Sequence, residues 1–325
     1  MSYPSNTESV AFPLTPHRCP GGDRGAACLA HFTPSCPKFF TGLPSSRVRA
    51  LSMGCFPSTH SLRADLSYDQ QMRKAIVAIG GGEIRTRGTV RIDREIIRLS
   101  DKKRPRLLFV PTASSDSEKY WKRVQEYFGS FLKCKTDALF LKEQPAKREI
   151  RTKILAADII YIGGGNTLLM MRVWRRLGVD KLLKSAYESG TVLAGLSAGA
   201  ICWFNSGHSD SMSFYNSRRW RYIKVRGLGL VQGIHCPHYN SMTRGIPRRR
   251  HFREMIRKAG GIGIAIENDC AIEFVDGRFY RVIRSNNYAR AYKLYKNGAE
   301  VVTRQIRQHR QFAPLALLRR RPRSA

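Results

Sequence analysis

The pentapeptide Gly195-Leu196-Ser197-Ala198-Gly199 follows the apolar run Val192–Leu196 and precedes a stretch that reads as helix. A serine on a tight strand-to-helix turn projects its hydroxyl out of the sheet, and small flanking residues leave room for that turn. The same turn puts the Ala198 N–H at the start of a helix, aimed at developing negative charge. The competing reading is an ordinary small-residue turn. The strand–turn–helix context favours Ser197 as a nucleophile and Ala198 as an oxyanion donor.

A serine hydroxyl needs a base, and the base needs an orienting group. His208, His235, His238 and His251 all lie downstream. His238, in Cys236-Pro237-His238-Tyr239-Asn240, ends an apolar stretch and opens a polar loop, so it is the expected base. His208 falls in a Ser/Asp/Gly loop, and His251 lies among arginines. The expected acid is Glu267, at the end of the apolar run Gly263–Ile266, with Asp269 as the fallback. A second oxyanion donor should come from a glycine-rich loop that approaches the reacting carbonyl closely. Gly163-Gly164-Gly165-Asn166-Thr167 fits, which would also put Asn166 beside the substrate. A phosphate-binding loop is the rival reading, but no G-K-[ST] follows and no G-x-G-x-x-G is complete.

The elements that must hold these residues alternate along the chain. Lys74–Ile79, Arg106–Val110, Asp137–Leu141, Asp158–Ile162 and Val192–Leu196 read as short strands. Ser117 to Leu132, Thr167–Leu177 and Asp180–Glu188 read as helices, with Ser117 as an N-cap. Strands alternating with amphipathic helices imply an α/β fold with a mostly parallel sheet covered on both faces. Ala271–Phe274, Phe279–Ile283 and Ala291–Tyr295 are separated by Asp276-Gly277 and Asn297-Gly298, which predicts C-terminal β-hairpins. Ligands of open parallel sheets bind beyond the carboxyl ends of the strands. Gly80–Gly82, Gly163–Asn166 and the segment after Leu196 all lie at such ends.

The chain has 325 residues and a formal charge of +33. Residues 1–71 contribute only +2, residues 304–325 contribute +7, and residues 72–303 carry +24. The charge therefore belongs to the expected folded part. Residues 1–71 are rich in Pro, Ser, Thr, Gly and Cys without a helix or strand period, and read as a poorly ordered or artefactual extension ahead of Met72. Residues 304–325 read as a basic, disordered tail. No apolar run approaches the roughly 18 residues of a membrane helix. Cys19, Cys28, Cys36 and Cys55 lack metal-ligand spacing. Cys134, Cys202, Cys236 and Cys270 lie singly among apolar neighbours and read as buried free thiols, which fits a reducing cytoplasm.

With these residues in hand, the chain resembles the peptidase E family of aspartyl dipeptidases and their cyanophycinase-like relatives. The resemblance covers residues 72–303. It rests on A-I-G-G-G at 78–82, I-G-G-G-N-T at 162–167, G-L-S-A-G-A at 195–200 and P-H-Y at 237–239. It implies a flavodoxin-like three-layer sandwich similar to a class I glutamine-amidotransferase domain, with Ser197 in place of the amidotransferase cysteine. It implies a Ser–His–Glu triad on Ser197, His238 and Glu267, an oxyanion hole from Gly165 and Ala198, and no metal or cofactor. Family dipeptidases prefer an N-terminal Asp. Such a carboxylate suits a guanidinium fork, and Arg249, in the run Arg248–Arg253, is the expected partner.

The expected function is a cytoplasmic serine peptidase hydrolysing short peptides through an acyl-enzyme. The alternatives are a cyanophycinase-like exopeptidase, or a catalytically silent scaffold that binds nucleic acid. The last draws on the +24 core and on Arg218-Arg219-Trp220-Arg221-Tyr222, whose interleaved cations and aromatics suit single strands.

Overall fold

The computed structural model describes residues 74–307. The expectations for residues 1–71, their four cysteines and most of the basic tail lie outside these residues. In chain order the first elements are β1 (Ala75–Ile79), α1 (Val90–Leu99), β2 (Arg106–Val110), α2 (Glu118–Val124), β3 (Lys135–Ala138), α3 (Lys147–Ala156) and β4 (Ile159–Ile162). Next come α4 (Thr167–Leu177), α5 (Val179–Glu188), β5 (Val192–Leu196), α6 (Ala198–Ile201), β6 (Phe204–Ser209), β7 (Ile223–Arg226) and β8 (Val231–Cys236). The last described elements are β9 (Met242–Thr243), β10 (Ile246–Pro247), α7 (Arg248–Ala259), β11 (Ile262–Ile266), β12 (Cys270–Val275), β13 (Arg278–Arg284), β14 (Ala291–Asn297) and β15 (Glu300–Gln305).

One sheet has seven strands in the order β13-β12-β1-β5-β4-β2-β3. β1, β5, β4, β2 and β3 are mutually parallel, and the β12–β13 hairpin adds antiparallel to β1. The pleat explains how both faces are covered. Ile76, Ala78, Leu108, Val110, Ile160, Ile162 and Leu193 face Met170, Met171, Trp174 and Leu183 of α4 and α5. Their strand neighbours Ala75, Val77, Ile79, Phe109, Tyr161 and Ala194 face Ile92, Ile96, Val124 and Phe128 on the other side. A period of two along each strand thus feeds two helical layers.

Three features differ from the expectations. A second, six-stranded sheet (β15-β14-β11-β8-β6-β7) stands beside the first and receives the β14–β15 hairpin. The third strand is Lys135–Ala138, not 137–141, because the chain leaves the sheet where Asp116 accepts hydrogen bonds from the Leu141 and Lys142 N–H groups. The Ser117 cap is present, its hydroxyl accepting from Tyr120 N at 3.3 Å, but Gln125–Phe131 winds as π-helix rather than α-helix. β15 runs to Gln305, and Ile306 is buried. Among the described residues no helix is long and apolar enough to cross a membrane.

Candidate active site

Ser197 occupies the turn between β5 and α6 at φ 58°, ψ −109°, a backbone conformation that a residue with a side chain rarely takes. The turn is held by Ser197 N–H donating to Ile79 O at 3.1 Å, and by Ala200 and Ile201 N–H donating to Ser197 O at 3.0 Å each. Its flanking glycines are demanded by backbone packing. A Cβ on Gly195 would lie 2.1 Å from Gly199 O, and one on Gly199 would lie 2.2 Å from Ile162 O. The pattern G-x-S-x-G is therefore the imprint of three backbones meeting.

His238 follows β8, also at positive φ (113°), and its N–H and that of Tyr239 point at Ile266 O, the end of β11. Its ring reaches back across the strand ends of both sheets. Nε2 lies 2.6 Å from Ser197 Oγ, and Nδ1 lies 2.7 Å from Asn268 Oδ1. With the amide oxygen as acceptor, the imidazole proton resides on Nδ1, and Nε2 is free to accept the serine proton. Burial holds the His238 pKa below its ordinary value, and the nearby Arg248 charge adds to this. The imidazole is thereby kept in its basic form.

The residue that meets the imidazole Nδ1 is Asn268, and Glu267 forms its hydrogen bonds elsewhere. Glu267 Oε2 accepts from Arg290 N–H at 2.7 Å and Oε1 from the Tyr292 hydroxyl at 3.2 Å. Successive residues leaving a strand face opposite ways. Glu267 turns toward β14, and Asn268 turns toward His238. Asn268 is itself fixed: its N–H donates to Asn240 Oδ1 at 3.1 Å and its Nδ2 to Ser241 Oγ at 3.4 Å. Asp269, the fallback, accepts from Asn286 Nδ2 at 3.3 Å and also stands away from the ring.

Gly81 lies directly over the His–Asn hydrogen bond. A Cβ there would stand 2.1 Å from Asn268 Oδ1 and 2.2 Å from His238 Nδ1. Sequence reasoning placed this glycine run at a strand end without giving it a role. In the other glycine loop, Gly164 faces Ser197, and a Cβ added to Gly164 would stand 3.4 Å from the Ser197 Cβ. Gly165 (φ 136°) is pressed against Ala113 O. Asn166 spends its side-chain oxygen on capping α4, accepting from Leu169 N–H at 3.0 Å. Arg249 is exposed, in a surface groove whose lining includes neither Ser197 nor His238. The buried arginine is its neighbour Arg248, 4% exposed, which donates to Asp210 Oδ2 and to His208 O at 3.2 Å each. The signal that separates the two is helix phase, since Arg248 shares its face of α7 with buried Phe252 and Ile256.

Residues 76–282 match the model of Peptidase family S51. The chain belongs to this family, the peptidase E family. It is a serine-type peptidase. Over 232 residues it is 34% identical to the "Uncharacterized peptidase YgaJ" of Bacillus subtilis (strain 168), spanning 70% of this chain and 95% of that protein. It is 30% identical over 139 residues to the "Uncharacterized peptidase Lmo0363" of Listeria monocytogenes, covering 41% of this chain and 65% of that one. A crystal structure of a peptidase from an acI-B1 Actinobacterium superposes with a TM-score of 0.58 at 19% identity, over 76% of this chain and 99% of that one. This last likeness concerns the fold.

His235 and the four described cysteines make packing contacts. His235 Nδ1 lies 3.0 Å from Ile264 O, its ring stacks on Phe204, and burial pushes its pKa down to about 3. Cys134, Cys202, Cys236 and Cys270 are free and buried, as read from the sequence. Burial raises the pKa of each thiol, so none is poised as a thiolate. Among the described residues no group of three His, Cys, Asp or Glu side chains could hold a metal ion.

Proposed function

We propose that this peptidase hydrolyses short peptides, dipeptides above all, through a Ser197–His238–Asn268 relay and an acyl-enzyme. The observation that carries the proposal is the unbroken line of hydrogen bonds from Ser197 Oγ to His238 Nε2 and from Nδ1 to Asn268 Oδ1. As Ser197 Oγ bonds to the peptide carbonyl carbon, its proton passes to Nε2. The carbonyl oxygen becomes an oxyanion, which Gly165 and Ala198 N–H groups are assigned to bind. Collapse breaks the C–N bond, and the imidazolium gives its proton to the departing amine. Water then attacks the ester by the same route, with His238 again as base.

Asn268 orients the ring and fixes its tautomer without adding negative charge. That makes it a neutral counterpart of the triad carboxylate, as in cysteine peptidases that pair His with Asn. For an N-terminal Asp, the cation assigned here is Arg248 rather than Arg249. Its charge reaches His238, and an incoming carboxylate would compete with Asp210 for the guanidinium. A cytoplasmic setting remains part of the reading, supported by four free thiols.

The test is a dipeptide panel with Ser197→Ala as control, together with a fluorophosphonate probe. Hydrolysis and labelling should both vanish in the variant while the melting curve stays in place. Full residual hydrolysis in Ser197→Ala would end the proposal.

A further inference from the structure

A cavity of about 270 Å³ is lined by Gly82, Glu83, Ser114, Lys119, Tyr120 and Arg123 among others. Two neighbouring residues place it. Gly82 follows Gly81, which packs against the His238 imidazole. Ser114 also lines it, and its backbone nitrogen lies 3.0 Å from where a Cβ on Gly165 would stand. The cavity therefore lies between the imidazole side of the site and the oxyanion glycine. In acyl transfer the imidazolium protonates the departing amine, so the leaving half of a peptide occupies the imidazole side. The volume is below the roughly 300–1,000 Å³ of pockets that take drug-sized ligands, which leaves room for one residue rather than an extended chain.

Its chemistry is specific. Lys119 and Arg123 are four residues apart on α2, so they share one helix face at the rim. Both are exposed, and neither forms an ion pair among the described residues. Glu83 is the acid in the lining, and its Oε1 is drawn into its own turn by the Arg85 N–H at 3.1 Å. Two cations against one occupied carboxylate suit an anion, and a leaving residue with a free C-terminus carries one.

We propose that this cavity is the leaving-residue subsite, and that Lys119 and Arg123 bind the free α-carboxylate of the departing amino acid. This inference rests on the peptidase reading above and gives it a length rule. A dipeptide puts its carboxylate at the two cations. A longer or amidated peptide puts a neutral amide there.

The experiment compares X-Leu dipeptides with the matching X-Leu amides on the full chain and on Lys119→Ala/Arg123→Ala. Charge-assisted hydrogen bonds predict that the wild type prefers the free acid by about tenfold to a hundredfold in kcat/KM, mostly through KM. In the double variant that ratio should collapse toward one, and Lys119→Arg/Arg123→Lys should retain most of it. Equal cleavage of acid and amide by the wild type overturns the proposal, as does an unchanged ratio in the double variant. Cleavage of neither substrate by the wild type removes the dipeptide reading above, and this inference with it.

Discussion

Replacing Gly81 by alanine puts a carbon 2.1 Å from Asn268 Oδ1 and 2.2 Å from His238 Nδ1. Ordinary van der Waals contact needs about 3.4 Å, so the two atoms must give way by about 1.2 Å. The glycine is not at positive φ, so the backbone accepts alanine. The atoms it meets are ends of side chains, and they will yield before the strand does. The cost therefore falls on the catalytic hydrogen bond and not on the fold. A misplacement of about 1 Å in a reacting constellation lowers rate by roughly a hundredfold, or about 2.7 kcal/mol of activation free energy. The assays are kcat/KM on a dipeptide substrate, the rate of fluorophosphonate labelling at Ser197, and a thermal melt. Gly81→Ala should lose about two orders of magnitude in both rates while melting within a few degrees of the wild type. A kcat/KM within threefold of the wild type would refute the claim that Gly81 guards the His–Asn bond.

Four further outcomes follow from the same geometry. The acid limb of kcat/KM should fall below the ordinary imidazole value of about 6.5, because burial and Arg248 favour neutral His238. Asn268→Asp sets a carboxylate against the ring, favours its charged form and should move that limb up by about 1–3 units, read from pH–rate profiles. Glu267→Gln should keep kcat within severalfold, since Glu267 bonds to Arg290 and Tyr292; a loss like that of Ser197→Ala would restore Glu267 to the relay. Asp93 is fully buried, and desolvation raises its pKa from 3.8 to about 7. The folded state then binds more protons than the unfolded chain between these values, so stability should fall by up to about 4 kcal/mol as pH rises from 4 to 7 and level off above. Asp93→Asn should flatten that slope in denaturant titrations at successive pH values.

The parallel strands were legible because they are short β-branched runs with both faces buried, as in Ala75–Ile79 and Ile159–Ile162. Ser197 was legible because backbone crowding leaves a mark in the sequence as paired glycines. His238 was legible from its place after an apolar strand. The residue that meets the imidazole, Asn268, lies one position after the expected Glu267. Glu267 and Asn268 are both polar and both follow Ile266, and only the turn after β11 decides which faces the imidazole. Chemical habit favoured the carboxylate. The second sheet was hidden because strands such as Phe204–Ser209 and Ile223–Arg226 lack alternation or an apolar run. That Arg248 is buried and Arg249 exposed could not be read from the sequence, because a run of arginines conceals helix phase.

The catalytic line joins two sheets. Ser197 leaves β5 of the first, His238 leaves β8 of the second, and Asn268 lies in the short link from β11 of the second to β12 of the first. The 2.6 Å separation of Ser197 Oγ and His238 Nε2 is thus a gauge of how well the sheets are docked. A slight parting would cut proton transfer while every strand kept its own ladder. Activity should therefore fail earlier than secondary structure as denaturant or temperature rises, making hydrolysis the more sensitive reporter of tertiary order in this enzyme.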